Sequence, residues 1–218
     1  MSLHIQTQTL MADLSNKVPA EMMVKVGAFI ERLAKHGIIA SAKKTGQPAP
    51  DFALWSTSGN RVGLSALRAR GPVVLSFYRG EWCPFCDLEL RAYQKALPEL
   101  QQLGATLAAI SPQPLERSRS TVENRNLEFD VLSDPDNTTA RAYGLTFSMT
   151  DAEQALHTTF GADLPKINAG DNWDLPAPVT YIVDQGGLIV WGHVDGNYTR
   201  RAEPADVIAA LRKLQQRH

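Results

Sequence analysis

The sequence predicts an α/β fold: a central sheet flanked by helices, preceded by a helical extension. Three observations carry this. Two short apolar runs, "PVVLSFY" (72–78) and "ATLAAIS" (105–111), have the length and continuity of strands buried on both faces. Helical patterns alternate with the strand-like runs, and such chains stack as a sheet with helices on both sides. The 218 residues are 44% apolar, ample for such a core, while the length is long for one compact domain and short for two.

In chain order, residues 18–39 come first. Met22, Val26, Phe29, Ile30 and Leu33 recur at helical spacing, and Gly37 supplies a stop. "SAKKTGQPAP" (41–50) has linker composition, so an N-terminal helical extension (1–44) ends there and the main domain (45–218) begins. "DFALWS" reads as a strand and "STSGN" as a turn. After the 72–78 strand, residues 86–103 place Leu90, Leu97, Leu100 and Leu103 in a helical pattern, with Pro98 as a kink. Residues 115–126 are helical, "FDVLSD" is a short strand and "NTTARAYGL" a helix. Residues 145–176, with several polar and turn residues, read as an insertion over one edge of the sheet. "TYIVDQGGLIVWGHV" is a hairpin around Gly186-Gly187, and "EPADVIAALRKLQQRH" is a closing helix with Pro204 near its start. The apolar face of the 18–39 helix needs cover, either from a second copy, making a homodimer, or from its own domain.

Composition narrows the function. A net charge of −1 makes no case for a nucleic-acid partner. The first residues lack the basic head and apolar core of a secretory signal, and the apolar runs are too short to span a bilayer. The expected location is cytoplasmic. In a reducing cytosol two close cysteines point to catalysis, redox sensing or metal binding rather than to a structural staple.

The only two cysteines stand in "EWCPFC" (81–86), directly after the 72–78 strand. Cys83 falls about where a helix begins, and Cys86 lies one turn in. Unpaired N–H groups and the partial positive charge at a helix N-terminus favour thiolate, which is the nucleophile. Arg79 adds a second positive charge nearby. The spacing lets one thiol attack and the other close a disulfide. A zinc site would need two further ligands, and the five histidines are scattered without an H-x₃₋₅-H pair. No metal and no cofactor are expected. Inert core thiols are the bland alternative; their place between Trp82 and Pro84 at a strand end argues against it. On this reading Cys83, nearer the helix start and the exposed end, is the nucleophile and Cys86 resolves, while Trp82 covers the site. Glu89 is either a proton relay for the second cysteine or a solvated helix residue.

"EWCPFC" resembles the Trp-Cys-x-x-Cys segment of thioredoxins. The surrounding chain more closely resembles the peroxiredoxin (alkyl hydroperoxide reductase C/thiol-specific antioxidant) family. "GQPAPDF" (46–52) is similar to that family's opening, "ISPQPLERSRSTVENRNLEFDVLSDPDNTTARAYGL" (110–145) to its middle, and "TYIVDQGG" (180–187) to its late hairpin. The resemblance implies a thioredoxin fold with a mixed sheet. It also implies an antioxidant thiol oxidoreductase cycling a Cys83–Cys86 dithiol and disulfide, with a thiol electron donor (a thioredoxin-like protein or glutathione).

Departures from the family pattern shape the rest. The family motif Pro-x-x-x-Thr-x-x-Cys, aligned on Cys86, puts Cys83 in the Thr slot and Arg79 in the Pro slot; Cys-x-x-Glu then falls on Cys86 and Glu89. Aligned on Cys83, the Thr slot is Gly80. Neither register supplies the peroxide-binding hydroxyl. The family's late-strand arginine slot holds Pro178, where thioredoxin-like reductases carry a cis-proline. A cis Ala177–Pro178 bond against the cysteines is therefore expected, shaping a backbone edge for a thiol or disulfide. Thioredoxins bury an acid on the central strand, which here reads Leu75-Ser76-Phe77. The leading expectation is thiol–disulfide exchange. The alternative is a peroxidase in which Cys86 attacks hydrogen peroxide or organic hydroperoxides and Cys83 resolves, marked by a trans bond at 178 or by an arginine such as Arg125 or Arg141 on a cysteine sulfur. A non-catalytic redox sensor is the third possibility.

Overall fold

A computed structural model describes residues 1–216. The extension holds three helices: α1 (Leu3–Lys17), α2 (Ala20–Lys35) and α3 (Ile38–Ser41). Gly37, at φ 85°, ends the second of these as its sequence position predicts. Then come β1 (Ala53–Ser56), β2 (Arg61–Gly63), α4 (Leu64–Arg68), β3 (Val73–Phe77), α5 (Pro84–Gln102), β4 (Thr106–Ser111), α6 (Leu115–Arg125), β5 (Asp130–Ser133) and α7 (Thr138–Ala142). The 145–176 segment forms β6 (Thr146–Ser148), α8 (Asp151–Thr159), α9 (Leu164–Ile167) and β7 (Asp174–Pro176). β8 (Val179–Val183), β9 (Ile189–Val194) and α10 (Pro204–Gln215) close the chain. The last two residues of the expected closing helix lie outside the described residues.

The sheet order is β2-β1-β5-β4-β3-β8-β9, with β6 and β7 pairing separately. β3 runs parallel to β4 and antiparallel to β8, so it is central, and every one of its residues is buried. That burial on both faces is why its sequence is a continuous apolar run rather than an alternation. The register sets Phe77 against Ile110 on one side and Val179 on the other. The chain therefore leaves β3 beside the start of β8, and the cysteine segment emerges at that corner.

Tertiary contacts supply what local pattern leaves out. The apolar stripe of α1 is thin, since Gln6, Thr7, Gln8 and Thr9 separate Leu3 from Leu10, Met11 and Leu14, and the helix escapes sequence reading. Its first turn is capped twice. Ser2 Oγ accepts from Ile5 N–H at 3.3 Å, and the Glu203 carboxylate, 200 residues away, accepts from Leu3 N–H at 3.1 Å and from His4 N–H. α1 packs beside α5, as does α10.

The apolar face of α2 turns onto its own domain. Phe29 and Leu33 are buried, and the Phe29 ring meets Phe147, His157 and Tyr198 at centroid distances of 6.2, 5.1 and 5.3 Å. Arg32 bridges to Glu153 of α8 at 2.5 and 2.7 Å. Gly196 fixes how closely α2 approaches, since a Cβ there would stand 2.5 Å from Ala34 Cα and 3.0 Å from Leu33 O. Both obstacles are backbone and cannot swing aside. Gly196→Val is expected to lever α2 off the domain and cost about 1–3 kcal/mol by urea titration; an unchanged midpoint refutes this packing.

Candidate active site

The site starts from local chemistry. Cys83 is the N-cap residue of α5, and Pro84 fills the first helical position, where a missing N–H costs nothing. Cys86 N–H donates to Cys83 O at 3.0 Å, closing the first turn and bringing both sulfurs to the helix start. Gly80 sits at φ 145°, and a Cβ there would meet Trp82 Nε1 at 2.5 Å. Glycine is what lets the indole fold back over its own loop.

Both cysteines are reduced and fully buried, at 0% exposure. This corrects the expectation that Cys83 is the exposed end. Two guanidiniums converge on the sulfurs. Arg79 Nη2 donates to Cys83 Sγ at 3.2 Å, and the Arg79 backbone N–H donates to Cys86 Sγ at 3.5 Å. Arg201 Nη2 donates to Cys86 Sγ at 3.4 Å and approaches Cys83 Sγ at 3.9 Å. Arg201 is held in turn by Tyr198 O, which accepts from its Nε at 2.7 Å, and by the Glu89 carboxylate.

Four expected features are revised. The Ala177–Pro178 bond is trans, as are all described peptide bonds. Pro178 is buried at the start of β8 and presents no edge for a substrate chain. The arginine on the cysteines is neither Arg125, which pairs with Asp87, nor Arg141, which donates to Asp136 O at 3.0 Å. It is Arg201, from the loop between β9 and α10. Glu89 is not a solvated helix residue: it is 1% exposed and paired with Arg201. It supplies the buried acid that β3 lacks. Two neighbouring arginines in "YTRRAEP" were the available signal for Arg201, a weak one because surface arginines are common.

Electrostatics separate the two thiols. Burial opposes ionisation of Cys83, but a hydrogen bond from the Cys86 thiol and the charges of Arg79 and Arg201 outweigh it and hold Cys83 well below the usual thiol range. Burial, the same shared bond and the Cys83 charge hold Cys86 well above it, against Arg201 and Arg79. Burial raises the Glu89 carboxyl despite Arg201. Two guanidiniums, one carboxylate and one thiolate balance, so the buried site accommodates one ionised sulfur and one protonated one.

The Arg79 guanidinium lies 4.0 Å from the Tyr198 ring centroid and 5.0 Å from that of Trp82. With Trp82, Phe85, His157 and Tyr198 it forms the floor of a cavity of about 330 Å³. Met11 and Leu14 of α1, Val26 and Phe29 of α2, and Leu156 and Phe160 of α8 make its apolar walls. Trp82 is half-buried, and its ring lies against Arg79 and His157. The extension and the 145–176 segment thus wall a cavity beside the cysteine segment, lined by Trp82, Pro84 and Phe85 but by neither cysteine.

The profile of the AhpC/TSA family matches residues 45–191. Among curated proteins, the chain is 25% identical over 200 residues to a chloroplastic peroxiredoxin Q of Triticum aestivum, covering 92% of this chain and 79% of the relative. It is 29% identical over 153 residues to a putative peroxiredoxin bcp of Coxiella burnetii, covering 69% and 89%. Among solved structures, the peroxidoxin BcpB of Mycobacterium tuberculosis superposes with a TM-score of 0.61 at 23% identity, covering 78% of this chain and 97% of that one. A bacterioferritin comigratory protein of Xanthomonas campestris, described for alkyl peroxide reduction, superposes at 0.60 and 18% identity, covering 78% and 99%. Both superpositions show the thioredoxin fold.

Proposed function

The chain belongs to the AhpC/TSA family, and we propose that it is a thiol-dependent peroxidase whose Cys83–Cys86 pair cycles between dithiol and disulfide. One observation favours peroxide over a protein disulfide: two guanidiniums donate to sulfurs that are wholly buried, at 3.2 and 3.4 Å. A macromolecular disulfide needs an exposed sulfur and a backbone edge. A peroxide needs only a small passage and cations where oxyanion charge develops.

In the proposed cycle the Cys83 thiolate attacks the distal peroxide oxygen. The S–O bond forms as the O–O bond breaks, giving a sulfenic acid and an alkoxide (hydroxide from hydrogen peroxide). The leaving alkoxide takes the Cys86 proton and departs as the alcohol. The Cys86 thiolate then attacks the Cys83 sulfur, and hydroxide leaves with a proton from solvent as water. One peroxide is reduced, one dithiol oxidised, and an external thiol donor (a thioredoxin-like protein or glutathione) returns the disulfide to dithiol once the start of α5 opens to expose the oxidised sulfurs. We place this cycle in the cytoplasm, whose thiol pool supplies that donor. A homodimer is part of the reading on family grounds; the face of α2 that suggested one is covered within the chain.

The Trp-Cys-x-x-Cys element at a helix N-terminus favours thiol–disulfide exchange as the second reading. Stopped-flow oxidation of the reduced protein separates them. Reaction with peroxide at least about tenfold faster than with a small disulfide of equal concentration is the expected outcome, followed by tryptophan fluorescence. The reverse order establishes exchange, and slow reaction with both leaves only a redox sensor.

A further inference from the structure

His157 belongs to no motif, yet it stands in the floor of the cavity at 6% exposure. Its ring is fixed edge-on to Trp82 at 5.7 Å and to Phe29 at 5.1 Å. Nδ1 lies 2.9 Å from Glu153 O. A carbonyl only accepts, so Nδ1 carries the hydrogen and Nε2 is left as a bare acceptor. Burial and the nearby Arg79 charge push the imidazole down to about 4, so it stays neutral at neutral pH.

The same cavity floor holds unused donors. Among the described residues, Arg79 Nε, Arg79 Nη1 and Trp82 Nε1 are buried and have no hydrogen-bond partner, on two side chains that line the cavity. Buried polar atoms without partners are uncommon, and several around one cavity call for a ligand that pairs them. The remaining Arg79 nitrogen, Nη2, is the one on Cys83 Sγ. A ligand oxygen held by Arg79 therefore sits one guanidinium away from the sulfur. Donors together with one neutral acceptor suit a head group that both accepts and donates. A carboxylate has no proton for Nε2, and a disulfide has none either. A hydroperoxide, –O–O–H, satisfies both kinds of partner.

We propose that His157 is a substrate-binding residue, its Nε2 accepting the O–H of the peroxide while Arg79 takes the other oxygen, so that the distal oxygen faces the cysteine pair. The inference rests on the peroxidase reading above. It adds to that reading a residue from the 145–176 segment that selects for a substrate bearing O–H. The proton held by His157 stays on the distal oxygen and leaves with it as S–OH, so the balance of the cycle is unchanged.

The test compares two oxidants of the same thiolate, tert-butyl hydroperoxide, which has an O–H, and methyl methanethiosulfonate, which has none. His157→Leu is expected to slow the hydroperoxide reaction about ten- to a hundredfold while the thiosulfonate rate holds within about twofold. His157→Gln, whose Oε1 can accept the same proton, is expected to recover part of the loss. Equal slowing with both oxidants makes His157 a packing or thiolate-supporting residue and overturns the inference, as does a hydroperoxide rate unchanged in His157→Leu. A wild-type chain that reacts with thiosulfonate but not with hydroperoxide overturns the peroxidase reading first, and this inference with it.

Discussion

Cys83→Ser is expected to abolish reaction with peroxide, lowering the second-order rate constant by roughly a thousandfold or more, because the nucleophile itself is gone. Cys86→Ser is expected to keep the first step and lose the second. It should consume one equivalent of peroxide and stop at a sulfenic acid on Cys83, visible as one added oxygen by mass spectrometry and trapped by dimedone. The asymmetry follows from the site's charges. Against burial, the hydrogen bond from the Cys86 thiol and Arg79, at 3.2 Å, hold the ionised sulfur at Cys83, while Cys86 keeps the proton; Arg201, nearer to Cys86, favours ionisation of both. The wild-type rate should accordingly stay level with pH through neutrality. It should fall only as the pH drops through the depressed value of Cys83, where the thiolate takes up its proton. If Cys86→Ser is the dead variant and Cys83→Ser takes up one oxygen, the attacking residue is Cys86, as the family's Cys-x-x-Glu register has it.

Arg201→Met is expected to damage both stability and chemistry, and a second substitution separates the two. Arg201 and Glu89 are 1% and 2% exposed at their side chains, so removing the guanidinium strands a carboxylate in the core. Breaking such a pair on one side costs about 3–5 kcal/mol. Adding Glu89→Gln removes the stranded charge, and the double variant should regain most of the loss in urea titration. Its peroxide rate should stay down by roughly a hundredfold or more, because one of the two guanidinium charges that favour the Cys83 thiolate is still missing. A double variant with restored rate would make Arg201 a structural partner of Glu89 and nothing more.

Local pattern alone determined a good part of this protein. The continuous apolar run at Val73–Phe77 marked a strand without a solvent face. The switch to helical spacing after Cys83-Pro84 put both thiols at a helix N-terminus, where the structure has them. Arg79 was legible for the same reason: four residues from Cys83, it has little choice but to be near it. These readings succeed because strand burial, helix starts and turn chemistry are decided by neighbours in sequence.

The tertiary structure decided the rest. Arg201 lies 118 residues from Cys83 and reaches it only because the β9–α10 loop closes over the corner where β3 ends. Glu89 looks like a solvated helix residue until that loop arrives and buries it. α1 has only a thin apolar face and takes the second cap of its first turn from Glu203, at the far end of the chain. His157 is one scattered histidine until α8 sets it beside Trp82. In each case the group's role comes from a charge or hydrogen-bond partner distant in sequence, and such interactions act over a few ångströms, so only the closed fold brings the partners within reach.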